Sequence, residues 1–267
     1  MEIKIGFISD LHTLHDTWLE NLKYNQWGWE VEQQWNDMDL LIFGGDCSGR
    51  GGKGEIDRFM DWFNRQPGVK VMISGNHDFF FDHKLRGTKP RHSWEVDPET
   101  EVKEMLAKYP DINYLDDSGI NLFGLNIWGS PIQPWFHDWA FNRFRNSHID
   151  IHGNTKWVGD TINGIKPHWD MIPDDTDILI THGPPFMHGD GLCNKFKKYG
   201  EFPHVGCADL MEAIKRVKPK INVFGHIHEG YGITEDEHTT YINASCLNEN
   251  YIPLNPPIFK TITVDEK

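Results

Sequence analysis

The chain has 267 residues, 38 % hydrophobic and 25 % charged, long enough for one large α/β domain with an ordinary globular balance. Its formal net charge of −14 argues against a nonspecific grip on a nucleic-acid backbone, and no apolar run approaches the ~20 residues of a membrane span. An anionic substrate would need local positive charge, which bound metal ions can supply.

Four scattered cysteines, Cys47, Cys193, Cys207 and Cys246, form no CxxC pair. That disfavours a zinc ribbon or disulfide framework and fits reduced thiols in a cytosolic protein. The N-terminus, MEIKIGFISD, has no basic stretch before its short apolar run. No secretory signal is expected there, and the expected location is the cytoplasm.

Residues 3–12, IKIGFISDLH, read as a buried strand, with Ile3, Ile5, Phe7 and Ile8 apolar, that ends on Asp10 and His12. In open α/β sheets ligands gather beyond the carboxyl ends of strands, so this pair marks a candidate site. Residues 16–28 are polar and Trp-bearing and read as a loop, followed by a short helix over 29–35. Leu40–Phe43 is a second strand, ending on Gly44-Gly45-Asp46. A glycine-rich loop over 48–54 leads into a helix over 55–64, whose Ile56, Phe59, Met60 and Phe63 recur at helical spacing. Residues 69–73 form a third strand, ending on Ser74-Gly75-Asn76-His77-Asp78. This alternation predicts a parallel sheet with right-handed crossovers.

Residues 79–93 read as a surface excursion, and 98–109 as a helix with Pro98 in its first turn and Pro110 behind its end. INYL, INLF and LNIWGS, between residues 112 and 130, predict an antiparallel meander. Residues 131–154 are rich in Trp, Phe, His and Asn without a period, and read as ordered loop. Residues 177–181 are a strand ending on His182-Gly183-Pro184-Pro185. Ala208–Val217 is an amphipathic helix, with Leu210, Met211 and Ile214 on one side. Ile221–Phe224 is a strand ending on Gly225-His226-Ile227-His228, and TTYINAS and PPIFKTITV give two more. No repeat or linker interrupts the chain, so a single domain over 1–267 is expected.

Five strands therefore end on metal-capable residues: Asp10 and His12, Asp46, Asn76 and His77, His182, and His226 and His228. Mixed carboxylate and imidazole donors suit Mn, Fe or Zn better than all-oxygen Ca or Mg cages. A carboxylate can bridge two metals, and two metals about 3.5–4 Å apart can clamp a phosphate and generate a nucleophilic hydroxide.

The motifs DLH, GGD, GNHD, THG and GHIH, in this order at strand ends, resemble the calcineurin-like metallophosphoesterase superfamily. WGSPIQPWFHDWAFN, THGPP, VFGHIHEGYG and INASCLNENYIPLNPP resemble its metallophosphoesterase-domain-containing branch, and the likeness extends over essentially the whole chain. The resemblance implies an α/β fold of four layers, α/β/β/α, with two mixed sheets flanked by helices and the site at their shared edge. It implies that Asp10, His12 and His228 hold one divalent metal, that Asp46 bridges, and that Asn76, His182 and His226 complete a second. His77 would be the general acid, with Asp78 orienting or charge-stabilising its imidazole, and the nucleophile would be a metal-bridging hydroxide.

Iron-tyrosinate members carry a tyrosine three residues after the bridging aspartate, where this chain has Gly49. The resemblance thus favours two Mn2+ ions, with Fe or Zn as alternatives. It implies a phosphodiesterase acting on small, including cyclic, nucleotide phosphodiesters. A phosphomonoesterase, a nuclease and a noncatalytic scaffold on the same fold are the alternatives. A nuclease would want a basic groove, and Lys195-Phe196-Lys197-Lys198 is the only notable basic run. Arg50 is a candidate to neutralise a phosphate oxygen, and Trp135 or Phe136 to stack on a base. His15 is expected at the surface, His188 and Asp190 in a loop, with the site's mouth as the alternative, and Cys47 in buried packing.

Overall fold

Side chains on successive strand residues point to opposite faces, so a strand buried on both sides must carry apolar groups at nearly every position. In Leu40–Phe43, Leu40 and Ile42 enter one apolar cluster while Leu41 and Phe43 enter another. Ile178–Thr181 repeats the pattern, with Ile178 and Ile180 in the first cluster and Leu179 in the second. The first cluster is the layer between two sheets; the second fills the space under the helices.

A computed structural model describes residues 1–24, 27–87, 96–149, 155–157, 164–192 and 204–264. Along the chain the elements are β1 (Glu2–Ile8), α1 (His15–Lys23), α2 (Trp29–Asn36), β2 (Leu40–Phe43), α3 (Lys53–Asn64), β3 (Val69–Met72), α4 (His83–Gly87) and α5 (Pro98–Lys108). They continue with β4 (Ile112–Tyr114), β5 (Ser118–Leu122), β6 (Leu125–Ser130), β7 (Gln133–Pro134), β8 (Asn142–Arg143), β9 (Ser147–Ile149) and β10 (Thr155–Trp157). Last come α6 (Lys166–Asp170), β11 (Ile178–Thr181), α7 (Ala208–Val217), β12 (Ile221–Phe224), β13 (Gly232–Glu235), β14 (Thr240–Asn243) and β15 (Ile258–Thr263).

The first sheet has the order β15-β1-β2-β3-β4, parallel except for the edge strand β15. The second has the order β13-β14-β12-β11-β6-β5, with four parallel central strands and antiparallel edges. With helices outside each sheet, this is the expected α/β/β/α sandwich of two mixed sheets. The sheets meet where their parallel strands end: Ser9, after β1, bridges Ser245, after β14, and the Cys246 amide donates to the Ser9 carbonyl at 2.9 Å.

Three local expectations change. Residues 16–23 are helical, because His15, Trp18 and Leu22 fall on one buried face at spacings of three and four. Ile112–Tyr114 pairs in parallel with β3 and extends the first sheet, so the antiparallel meander reduces to the β5–β6 hairpin. That hairpin turns on Phe123 and Gly124, both at positive φ (54° and 78°), the geometry of a tight two-residue turn. The aromatic stretch 131–154 contains the short pair β7–β8 and the strand β9, which pairs with β10 just beyond it. Cys193 and the basic run 195–198 lie outside the described residues.

Candidate metal centre

The backbone turns sharply where each ligand-bearing strand stops. Asp10, His12, Asp46 and His226 all adopt positive φ, 53°, 40°, 58° and 67°, a strained conformation for non-glycine residues that clusters at functional sites. These turns swing the side chains from both sheets into the seam. Asp10 and His182 are fully buried, and Asp46, Asn76, His12 and His228 nearly so.

The side chains form interlocking groups. Asp10, His12 and His228 place one donor atom each within 4.8 Å of one another, and so do Asp46, His182 and His226. Asp46 joins the two: its Oδ2 lies 3.6 Å from His12 Nε2 and 3.3 Å from His182 Nε2. Asn76 Oδ1 is 3.0 Å from His182 Nε2, and Asp10 Oδ1 is 3.3 Å from His228 Nε2. A third group, His12, Asp46 and His77, also converges.

Three imidazoles are oriented by backbone carbonyls. The Nδ1 of His12 faces Ser48 O at 3.2 Å, that of His182 faces Gly44 O at 3.0 Å, and that of His228 faces Asn248 O at 2.9 Å. Such contacts place the proton on Nδ1 and leave the Nε2 lone pair toward the carboxylates, the arrangement of a metal-ligating histidine. The Nε2 of His12 is buried without any hydrogen-bond partner. An orphaned nitrogen beside two carboxylates, in a mixed N/O donor set, fits a divalent transition ion.

The buried charges act on one another. Burial opposes ionisation of Asp10 and Asp46, but their histidine neighbours (His228 for Asp10, His182 for Asp46) outweigh it and hold both carboxyls well below the usual range. Burial likewise opposes protonation of His182 and His228, yet Asp46 and Asp10 lift them to about 9. His12 falls to about 4 and His226 to about 3, mainly through burial. Without metal, the site thus keeps protons on two of its imidazoles.

His77 is half-buried, with its Nδ1 2.7 Å from the Gly49 carbonyl, its amide donating to Asp46 Oδ1 at 2.8 Å, and its ring 4.2 Å from that of Trp139. The partner of its ring is therefore Gly49. Asp78 has a different task from the expected one: its buried carboxylate accepts from the amides of Gly75, Asp46, Cys47 and Ser48 and from the Ser48 hydroxyl. It shapes the loop that presents Asp46 and Gly49. Burial, then Asp46, raises its pKa.

A cavity of 590 Å³ opens onto these residues. Trp135 and Phe136, about half exposed, line it with Trp139 of the same aromatic stretch, together with Arg145, Glu229 and Tyr251, which sequence reasoning missed. The Tyr251 ring stands 5.0 Å from His12 and 5.1 Å from His228, and burial, then Asp46 and Asp10, raises its pKa, which keeps the phenol protonated. The signal for Tyr251 was its turn-rich setting, NENY; nothing local marked Arg145.

Arg50 is exposed and does not line this cavity; its amide donates to Glu55 instead. His15 is buried against Phe59 and Trp62, contrary to its expected surface place, because it sits on the inner face of α1. Cys47 is buried, its thiol donating to Asp78. Asp190 is buried and accepts from the Met187 and Gly206 amides, while His188 stacks on Tyr241 at 3.6 Å.

Layer order and seam define the class, a metallophosphoesterase fold. The Thermus thermophilus protein TT1561 shares it, with a TM-score of 0.54 over 91 % of this chain and 89 % of that one, at 10 % identity. The sequence narrows the class: the calcineurin-like phosphoesterase family model matches residues 3–230, and the chain belongs to that family. It is 36 % identical over 229 residues to human metallophosphoesterase domain-containing protein 1 and 34 % over 248 to the Caenorhabditis elegans UPF0046 protein T07D4.2. These matches cover 82 % and 85 % of this chain but 63 % and 55 % of those proteins. No helix among the described residues is long and apolar enough to cross a membrane.

Proposed function

We propose that this protein is a dinuclear-metal phosphodiesterase acting on small nucleotide-type phosphodiesters, cyclic ones included. The observation that carries the reading is Asp46 Oδ2, set between His12 and His182 where one carboxylate joins two three-residue donor groups. Asp10, His12, His228 and Asp46 would hold one ion, and Asp46, Asn76, His182 and His226 the other. Such ions, with Mn2+ our assignment, supply charge neutralisation for the phosphoryl group and acidify water.

The chain's own residues do the rest. Backbone carbonyls lock the imidazoles, so that the donors meet substrate already organised. Gly49 holds the His77 ring through Nδ1, leaving Nε2 to deliver a proton to the leaving oxygen. Trp135 and Phe136 offer exposed faces to a base in the same cavity. The net charge of −14 favours a small anion gathered at the metals over a long polynucleotide. We place the protein in the cytoplasm, on its reduced-thiol composition.

The test is a Mn2+-loaded panel: cyclic nucleotides, bis-p-nitrophenyl phosphate, p-nitrophenyl phosphate and single-stranded DNA. Turnover of the first two above the others is expected. Faster monoester or DNA cleavage overturns the substrate class, and no turnover with two bound metals makes the protein a scaffold.

A further inference from the structure

Tyr251 stands apart from the residues so far given roles. It lies beyond the stretch that the family model matches, yet it lines the same cavity as His12, Asp46 and His77. Its ring meets two imidazoles edge-on, at 67° to His12 and 61° to His228. His77 lies beside the same His12 ring, with centroids 4.6 Å apart. The centre is thus flanked by an imidazole and a phenol.

The placement is built. Tyr251 adopts φ 59°, a left-handed conformation that is unfavourable for a bulky residue and persists only when its surroundings impose it. Asn248 imposes it. Its side-chain oxygen accepts from the amides of Asn250 and Ile252, both at 3.0 Å, and its amide donates to Ile252 O. Its carbonyl accepts both the Tyr251 amide, at 2.8 Å, and His228 Nδ1, at 2.9 Å. One peptide group therefore fixes a metal-facing histidine and the phenol together.

The phenol has work available. Among the described residues its hydroxyl makes no hydrogen bond, although the backbone beneath it is pinned. Arg145, the cation lining the described cavity, already gives Nη1 to Gly206 O and Nη2 to Val205 O, at 2.8 and 2.7 Å. A phosphoryl group at the centre would thus have a neutral, protonated donor within the same wall.

We propose that Tyr251 is a catalytic residue whose hydroxyl donates a hydrogen bond to a non-bridging oxygen of the bound phosphoryl group. This rests on the phosphoesterase reading above. The contact holds the phosphoryl group against the metal-facing residues throughout the reaction, so it acts on phosphate affinity and kcat/KM alike and is indifferent to the leaving group.

The experiment compares Tyr251→Phe and Tyr251→Leu with the wild-type chain, each loaded with Mn2+. Metal content, inorganic phosphate affinity by calorimetry, and kcat/KM on good and poor leaving groups are read. Phe keeps the ring contacts, so metal content and fold should stay unchanged. Phosphate affinity and kcat/KM should both fall about 10–100-fold, the range for a hydrogen bond to a charged group. The kinetic loss should be equal for nitrophenolate and alkoxide leaving groups. Phosphate affinity and kcat/KM within twofold of wild type in Y251F overturn the proposal, whatever Y251L does to metal content. A loss confined to poor leaving groups also overturns it, since that marks an acid. If the wild-type chain hydrolyses no phosphoester, the functional reading fails by itself, while the phosphate affinities still decide whether Tyr251 holds the anion.

Discussion

At the scale of single residues, the centre separates into groups that face the cavity and groups that hold them. His77→Ala should leave metal content intact and lower turnover by ~10²–10⁴, with a smaller loss for nitrophenolate, whose departure needs no proton. Asp46→Asn should bring bound metal below two ions per chain by elemental analysis, because its Oδ2 sits between two imidazoles. Asp78→Ala should cost at least about 3 kcal/mol in denaturant unfolding, since each buried donor left unpaired costs ~1–3 kcal/mol.

Proton linkage at this scale has a definite sign. His182 and His228, lifted to about 9, carry protons at neutral pH that a metal must displace. Apparent metal affinity should therefore rise as pH is raised from 6 toward 9, with protons released on loading, measurable by calorimetry in buffers of different ionisation enthalpy. His15 runs the other way on stability. Burial holds its pKa below the usual 6.5, so the unfolded chain takes up the proton first as the medium acidifies. Stability present above about pH 6.5 is lost as pH falls below it, and His15→Phe should flatten that slope between pH 7 and 5.

At the scale of elements, the apolar pattern was enough to find most strands, and less able to find their partners. The apolar run LLIF declared β2 a strand, and packing buried both of its faces. INYL, in contrast, has no local feature that distinguishes an antiparallel neighbour of β5 from a parallel neighbour of β3, and packing chose the latter. Helix α1 escaped because only three side chains, His15, Trp18 and Leu22, make its buried face, and one of them is a polar histidine. Helix α7 ends on Lys218 at φ 54°, where a side chain clashes with the left-handed backbone. Lys218→Gly should raise stability by about 0.5–1 kcal/mol, read as a shift in the denaturation midpoint at unchanged slope.

At the scale of the whole molecule, the centre exists because two sheets close on each other. Asp10, from the first sheet, accepts from the His226 amide and the Ser245 hydroxyl of the second, and His182, from the second, meets Gly44 O of the first. Gly225 makes that closeness possible: a Cβ there would stand 1.8 Å from Asp10 Oδ2. Gly225→Ala should push the sheets apart and weaken metal binding although every ligand residue is kept. By itself the sequence determined which residue types stand at which strand ends and in what order, because a buried strand and its terminal turn are local patterns. The tertiary structure decided that Asp78 serves the loop rather than His77, that Arg50 stands away from the cavity, and that Arg145 and Tyr251 line it. Most of these placements rest on packing between segments tens to hundreds of residues apart, which a local pattern such as the turn-rich NENY does not encode.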